Sequence, residues 1–125
     1  MKKLLLMLML LSSPSFAVTE LGPQDASEKL FAAVNSGKVV VVKFYAKWCG
    51  ACKRIAPMYE EAEKKLSGKA EFFAVDVDTN NALARQVDAL PTIIVVKTNG
   101  QNVIPIVGVP NSQEDLESQI QERMK

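Results

Sequence analysis

Val39-Val40-Val41-Val42-Lys43-Phe44-Tyr45-Ala46-Lys47-Trp48-Cys49-Gly50-Ala51-Cys52-Lys53 is the stretch in which a strand pattern gives way to a helix pattern. Four consecutive valines and then Phe44 read as a strand buried on both faces, because a half-exposed strand alternates apolar and polar residues. Beyond Cys49 the period changes. Ile55, Tyr59, Ala62 and Leu66 recur at helical spacing, while Arg54, Glu60, Glu61, Lys64 and Lys65 fill the opposite face. Pro57 falls inside this helix, where it removes one backbone hydrogen bond and bends the axis. The cysteines Cys49 and Cys52 therefore lie at a strand-to-helix junction.

That position has chemical consequences. The first turn of a helix carries unpaired N–H groups and the positive end of the dipole, and both favour a thiolate over a thiol. A lowered pKa is expected for Cys49. Spacing of i, i+3 lets the two sulfurs meet within one helical turn. Cys49 is expected to point outward and attack, and Cys52, shielded one turn inside, to resolve the mixed disulfide.

Composition removes several alternatives. The 125 residues include two cysteines and no histidine. A Cys–His catalytic pair is therefore impossible, and a closed zinc site would need two ligands more than this pair supplies, as in a dimer sharing two such pairs. Closing so short a loop with a disulfide removes little entropy from the unfolded chain, so reactivity explains the pair better than stapling. No cofactor and no metal are expected. The formal charge of +1 comes without a basic run, which gives no footprint for nucleic acid.

The first 17 residues have the order of an export signal. Lys2 and Lys3 precede the unbroken Leu/Met run Leu4 to Leu11; Ser12 to Ser15, with Pro14, break it, and Ser15-Phe16-Ala17 places small residues around a cleavage point. The run is too short for a membrane-spanning helix, and no cysteine follows it to carry a lipid. The expectation is a cleaved signal, 1–17, followed by one domain, 18–125. The protein would be periplasmic if bacterial and otherwise secreted, with no membrane anchor after cleavage and no partner copy required.

Elsewhere the pattern predicts a short edge strand at Val18 to Leu21. A helix starts at Asp25 with Glu28, its apolar face formed by Leu30, Phe31 and Val34. A strand at Glu71 to Asp76, a short helix around Ala82 to Val87 and a strand at Thr92 to Lys97 follow. Asn99-Gly100 signals a hairpin, Asn102 to Val107 returns antiparallel, and Ser112 to Met124 forms the last helix with Leu116, Ile120 and Met124 on one face. The order β-α-β-α-β-α-β-β-α implies an α/β fold, a mixed sheet with helices on both faces.

Phe44-Tyr45-Ala46-Lys47-Trp48-Cys49-Gly50-Ala51-Cys52-Lys53, with Ala56-Pro57 and Tyr59-Glu60, resembles the active-site stretch of the thioredoxin superfamily. The Phe-Tyr-Ala lead-in is closest to the catalytic domains of protein disulfide isomerases. Leu90-Pro91-Thr92 is similar to the family's cis-proline segment facing the cysteines, and Asn99-Gly100 and Gly108 also match. The resemblance implies a thioredoxin fold over 18–125 and a thiol–disulfide oxidoreductase whose Cys49–Cys52 disulfide is redox-active.

It further implies substrate contacts at Trp48, Leu90, Pro91 and Gly108, and redox tuning by Gly50, Ala51 and Pro91. For Trp48 the plainer alternative is a core ring; for Pro91, a strand-start proline; for Gly108, a turn. Partners would be proteins bearing cysteines and an electron donor or acceptor. Gly50-Ala51 is neither the Gly-Pro of thioredoxins nor the Gly-His of the isomerases, and the direction of exchange stays open, with reduction favoured over oxidation. A different class, a non-catalytic peptide-binding module on the same fold, would not need both cysteines.

The chain departs from the family at Lys43, where a buried acid usually stands, and at Ala74, where its lysine partner usually stands. Three states are open to Lys43. It can pair with Asp76, on the same strand face as Ala74; it can extend its amine to solvent; or it can tune the redox pair, as a charge or as a neutral base.

Overall fold

In a computed structural model that describes residues 17–97 and 104–125, the valine run forms strand β2 (Val39–Tyr45) at the middle of a five-stranded sheet. Around it, in chain order, come β1 (Thr19–Glu20), α1 (Ala26–Asn35), α2 (Gly50–Leu66), β3 (Ala70–Asp76), α3 (Asn81–Ala84), β4 (Thr92–Val96), β5 (Ile106–Val107) and α4 (Gln113–Met124). The strands lie in the order β1-β3-β2-β4-β5. β1, β3 and β2 run parallel, and β4 and β5 are antiparallel to their neighbours. This is the expected mixed sheet. Residues 1–16, which hold most of the expected signal, and the Asn99-Gly100 turn with Asn102 lie outside the described residues.

Both faces of β2 are buried, as its unbroken apolar run requires. Val41 packs with Ile55 and Tyr59 of α2 and with Leu116 and Ile120 of α4. Val40, Val42 and Phe44 pack on the other side with Ala26 and Ala33 of α1. Each such aliphatic side chain, fully buried, contributes about 1.5–3 kcal/mol of transfer free energy. Alternation along the strand places Lys43 on the Val41 side, under α2. Tyr59 is fully buried there. Its hydroxyl donates to the carbonyls of Phe73 at 2.6 Å and Val41 at 3.1 Å, bridging β3 and β2 from the helix, and its ring meets Phe72 edge-on.

Three expectations need correction. Phe31 is 71% exposed, not part of the buried face of α1. That face is Ala26, Leu30 and Ala33, whose small residues bring the helix close to the sheet, and Phe31 is turned about 100° from Leu30. Asp25 precedes α1 but makes no capping bond; its carboxylate accepts from the Gly22 N–H and pairs with Lys29. The helix around 82–87 shortens to α3, started by the Asn80 side chain accepting from the Leu83 N–H. Among the described residues no helix is long and apolar enough to cross a membrane.

Candidate active site

Strand β2 ends at Tyr45, and the chain turns through Ala46-Lys47-Trp48 into α2, with Cys49 as its N-cap. An extended backbone at Cys49 (φ −88°, ψ 113°) lets its sulfur fold back over the first turn and accept the Cys52 N–H at 3.2 Å. A side chain that accepts from this otherwise unpaired N–H is a capping group, and it caps best as an anion. The two cysteines form a disulfide, with Cα atoms 5.2 Å apart. Both are largely enclosed, but Cys49 (8% exposed) lines a surface groove of about 430 Å³ and Cys52 (3%) does not.

Trp48, Val77, Val87 and Leu90 share that groove with Cys49. Trp48 is 70% exposed, so it is a surface ring and not a core one. Its indole Nε1 donates to Asp78 Oδ2 at 2.9 Å, a contact not anticipated from the sequence. Parallel strands could have suggested it: β2 and β3 pair Tyr45 with Asp76, so the residues after each strand emerge at the same sheet edge, where α/β folds place ligands. Leu90-Pro91 is a cis peptide. Leu90 packs against the cysteine cluster, and Pro91 is fully buried.

Gly108 does not line the groove; its N–H donates to the Pro91 carbonyl at 2.9 Å. Its φ of 84° is left-handed, and a Cβ there would meet nothing within 4 Å, so conformation, not crowding, accounts for the glycine. Gly50 opens α2 with open space beside it, and Ala51 is half-buried against the cysteines.

Lys43 is brought to neither the groove nor Asp76. No ion pair joins it to Asp76; its Nζ lies 5.1 Å from the Tyr45 ring centre and 5.0 Å from that of Tyr59. The register explains this. Lys43 stands directly opposite Ala74, whose small side chain leaves room toward Tyr59, while Asp76 stands opposite Tyr45 and accepts the Asp78 N–H. Lys43 is also 7% exposed, so it does not extend freely into solvent. Burial lowers its pKa, and Glu20 and Glu60 partly restore it. Among the described residues no group of three or more His, Cys, Asp or Glu is placed to hold a metal.

The Thioredoxin family profile matches residues 23–122, which spans every described element from α1 into the last turn of α4 together with the cysteine pair. The chain belongs to the thioredoxin family. It is 38% identical to thioredoxin H4 of Arabidopsis thaliana over 94 residues, 74% of this chain and 76% of that one. It is 43% identical to thioredoxin-1 of Saccharomyces cerevisiae over 79 residues, 62% and 75% of the two chains. The solved thioredoxin of Malassezia sympodialis superposes with a TM-score of 0.73 at 30% identity, over 90% of this chain and 95% of that one. With the family's cysteine pair at the helix start, this thioredoxin-family chain is a protein disulfide oxidoreductase, and Cys49–Cys52 is its redox pair.

Proposed function

We propose that this oxidoreductase works on the disulfides and dithiols of exported proteins, with Cys49 as the attacking thiol and Cys52 as the resolving one. One observation carries the assignment: Cys49 lines the groove and receives the Cys52 N–H, whereas Cys52 lies behind it. In the reducing direction, the Cys49 thiolate attacks one sulfur of a substrate disulfide. The substrate S–S bond breaks, its other sulfur leaves as thiolate, and a Cys49–substrate disulfide forms. Cys52, deprotonated, then attacks the Cys49 sulfur, releasing the second substrate thiolate and closing Cys49–Cys52. Two electrons pass to the substrate, and a redox partner resupplies them.

Trp48 and Leu90 flank the attacking sulfur and supply apolar contact to the substrate, and the backbone at Leu90 offers strand-like docking. Gly108, tied to Pro91, leaves that approach open. Gly50 and Ala51 stand between the two cysteines in the chain, and with Pro91 and Lys43 they are the residues we assign to tuning the potential of the pair. The charged, apolar, small-residue order of residues 1–17 is what supports the localisation, periplasmic or secreted, and a monomer suffices for the chemistry. Cys52→Ser should accumulate mixed disulfides with substrate proteins and Cys49→Ser should not; equal accumulation in both would remove the assignment. Mass spectrometry of the exported protein should find Val18 as the first residue, and retention of Lys2 and Lys3 would overturn the cleavage. The equilibrium of the pair against glutathione decides the direction, for which we favour reduction.

A further inference from the structure

A second cavity, of about 290 Å³, lies beneath α2 and beside β1, and shares no residue with the Cys49 groove. Its wall carries three carboxylates, Glu20, Glu60 and Glu63, and two lysines, Lys43 and Lys64; Ala17 and Val18 close the remaining side. Of the carboxylates, Glu63 stands apart. It is 5% exposed and has no ion pair or hydrogen bond among the described residues, whereas Glu20 accepts the Tyr45 hydroxyl at 2.8 Å. The amine of Lys43 is committed to the Tyr45 and Tyr59 rings, with Glu20 and Glu60 as its acidic neighbours. Lys64 is exposed and only partly offsets the burial that pushes the Glu63 carboxyl up. The side chain of Glu63 is largely enclosed, but its carboxylate oxygens still meet the water of the cavity, since among the described residues no enclosed side-chain oxygen lacks a partner; a close cation would offset the burial of the rest.

We infer that the α-ammonium group of Val18, created when the chain is cut after Ala17, pairs with Glu63 across this cavity. In the uncut chain the Val18 nitrogen is a neutral amide. Hydrolysis of the Ala17–Val18 bond consumes one water, the carboxylate departs with residues 1–17, and the new amine takes a proton. Position favours the pairing. Val18 precedes β1, whose Thr19 is held in register with Phe73 of β3, and its side chain packs against the core under α2. The new terminus is therefore anchored at the mouth of the cavity. The inference rests on the cleavage position proposed above, and it gives that position a structural consequence: processing adds an ion pair to the wall of this cavity. The charged or titratable groups around the amine are Glu20 of β1, Lys43 and Tyr45 of β2, Asp76 on the same face of β3, and Tyr59, Glu60, Glu63 and Lys64 of α2.

The test compares three proteins: the full chain, the chain beginning at Val18, and that same chain with an acetylated Val18 nitrogen. Every described element of the fold lies within 18–125, so the shorter forms carry all of these elements. Each is made with Glu63 and with Glu63→Gln. A free α-amine ordinarily titrates near pH 7.7–8.0; paired with Glu63 it should hold its proton about tenfold more tightly, roughly one pH unit higher by NMR, and return to the ordinary range in Glu63→Gln. Acetylation should lower Tm by several degrees with Glu63 present and leave Glu63→Gln unmoved. An amine that titrates in the ordinary range, or an equal response to acetylation in both backgrounds, overturns the pairing. Sequencing the exported protein judges the cleavage position separately, since the chain made to begin at Val18 reports on the ion pair whichever terminus the cell produces.

Discussion

Trp48 and Asp78 are thirty residues apart in sequence, yet the indole Nε1 donates to the carboxylate at 2.9 Å across the edge of the Cys49 groove. An indole this exposed has no core to hold it, so the bond fixes the plane of the ring beside the attacking sulfur. Asp78→Ala should leave stability within about 0.5 kcal/mol, as expected for one solvent-exposed hydrogen bond. The loss should appear in catalysis, as kcat/KM for a protein disulfide lowered about threefold. Asp78→Asn keeps an acceptor and should restore most of it. An Ala variant with undiminished kcat/KM would show that the ring needs no tether.

Tyr59 gives a prediction about stability alone. Its hydroxyl is the only part of the side chain that reaches the β2 and β3 carbonyls, and Phe fills the same volume without it. Tyr59→Phe should cost about 1 kcal/mol, read from urea unfolding, with the unfolding slope unchanged. There is also a pH signature. Burial holds the folded-state pKa of Tyr59 well above the ordinary value of 10. The stability attached to that shift is complete below pH 10 and declines as pH rises past 10, where the unfolded tyrosine ionises first. Tyr59→Phe should therefore flatten the alkaline fall in stability; Tyr45, raised by burial and its bond to Glu20, keeps the remainder. An unaltered alkaline limb would contradict the assignment.

Gly108 separates conformation from substrate access. Because a Cβ would meet no atom there, Ala at this site should be resisted by the positive φ alone, at about 1–2 kcal/mol. Thermal unfolding of Gly108→Ala should show a Tm lower by several degrees. If the glycine also keeps the substrate approach clear, KM should rise while kcat is retained. A Tm equal to that of the parent would mean that the turn relaxes without cost.

Much of this architecture was legible because it depends on local period. The valine run, the Ile55-Tyr59-Ala62-Leu66 stripe and the Leu116-Ile120-Met124 face each carry their own signal, and each element formed where the pattern placed it. The cysteine pair was legible for the same reason, since a strand-to-helix junction is a local feature. What escaped depends on approach between distant elements. Phe31 has the residue type of a core position, and only the close seating of α1 through Ala26 and Ala33 turns it outward. Asp78 and Glu63 are ordinary surface acids in sequence. One becomes a tether because two parallel strands end together, and the other is largely enclosed because it lines the cavity between α2 and the start of β1.

Lys43 stands where the family usually places a buried acid, and its surroundings determine what it does. The tyrosine faces 5.0 and 5.1 Å from its Nζ attract a cation, and Glu20 and Glu60 oppose the lowering of its pKa by burial. These groups favour an amine that stays charged at neutral pH. A positive charge on the α2 side of the sheet favours thiolate over neutral thiol or disulfide, which stabilises the reduced pair and raises its potential. Lys43→Met retains the length and the packing against Tyr59 but removes the charge. The potential against glutathione should then become more negative by up to about 30 mV, the equivalent of roughly 1.4 kcal/mol for two electrons. A neutral amine predicts otherwise: it would accept the Cys52 proton, so the potential would hold while resolution of the mixed disulfide slowed near neutral pH. If both the potential and the resolution rate are unchanged, the cation–π contacts with Tyr45 and Tyr59 are the whole role of Lys43, and the exchange of acid for lysine has no bearing on catalysis.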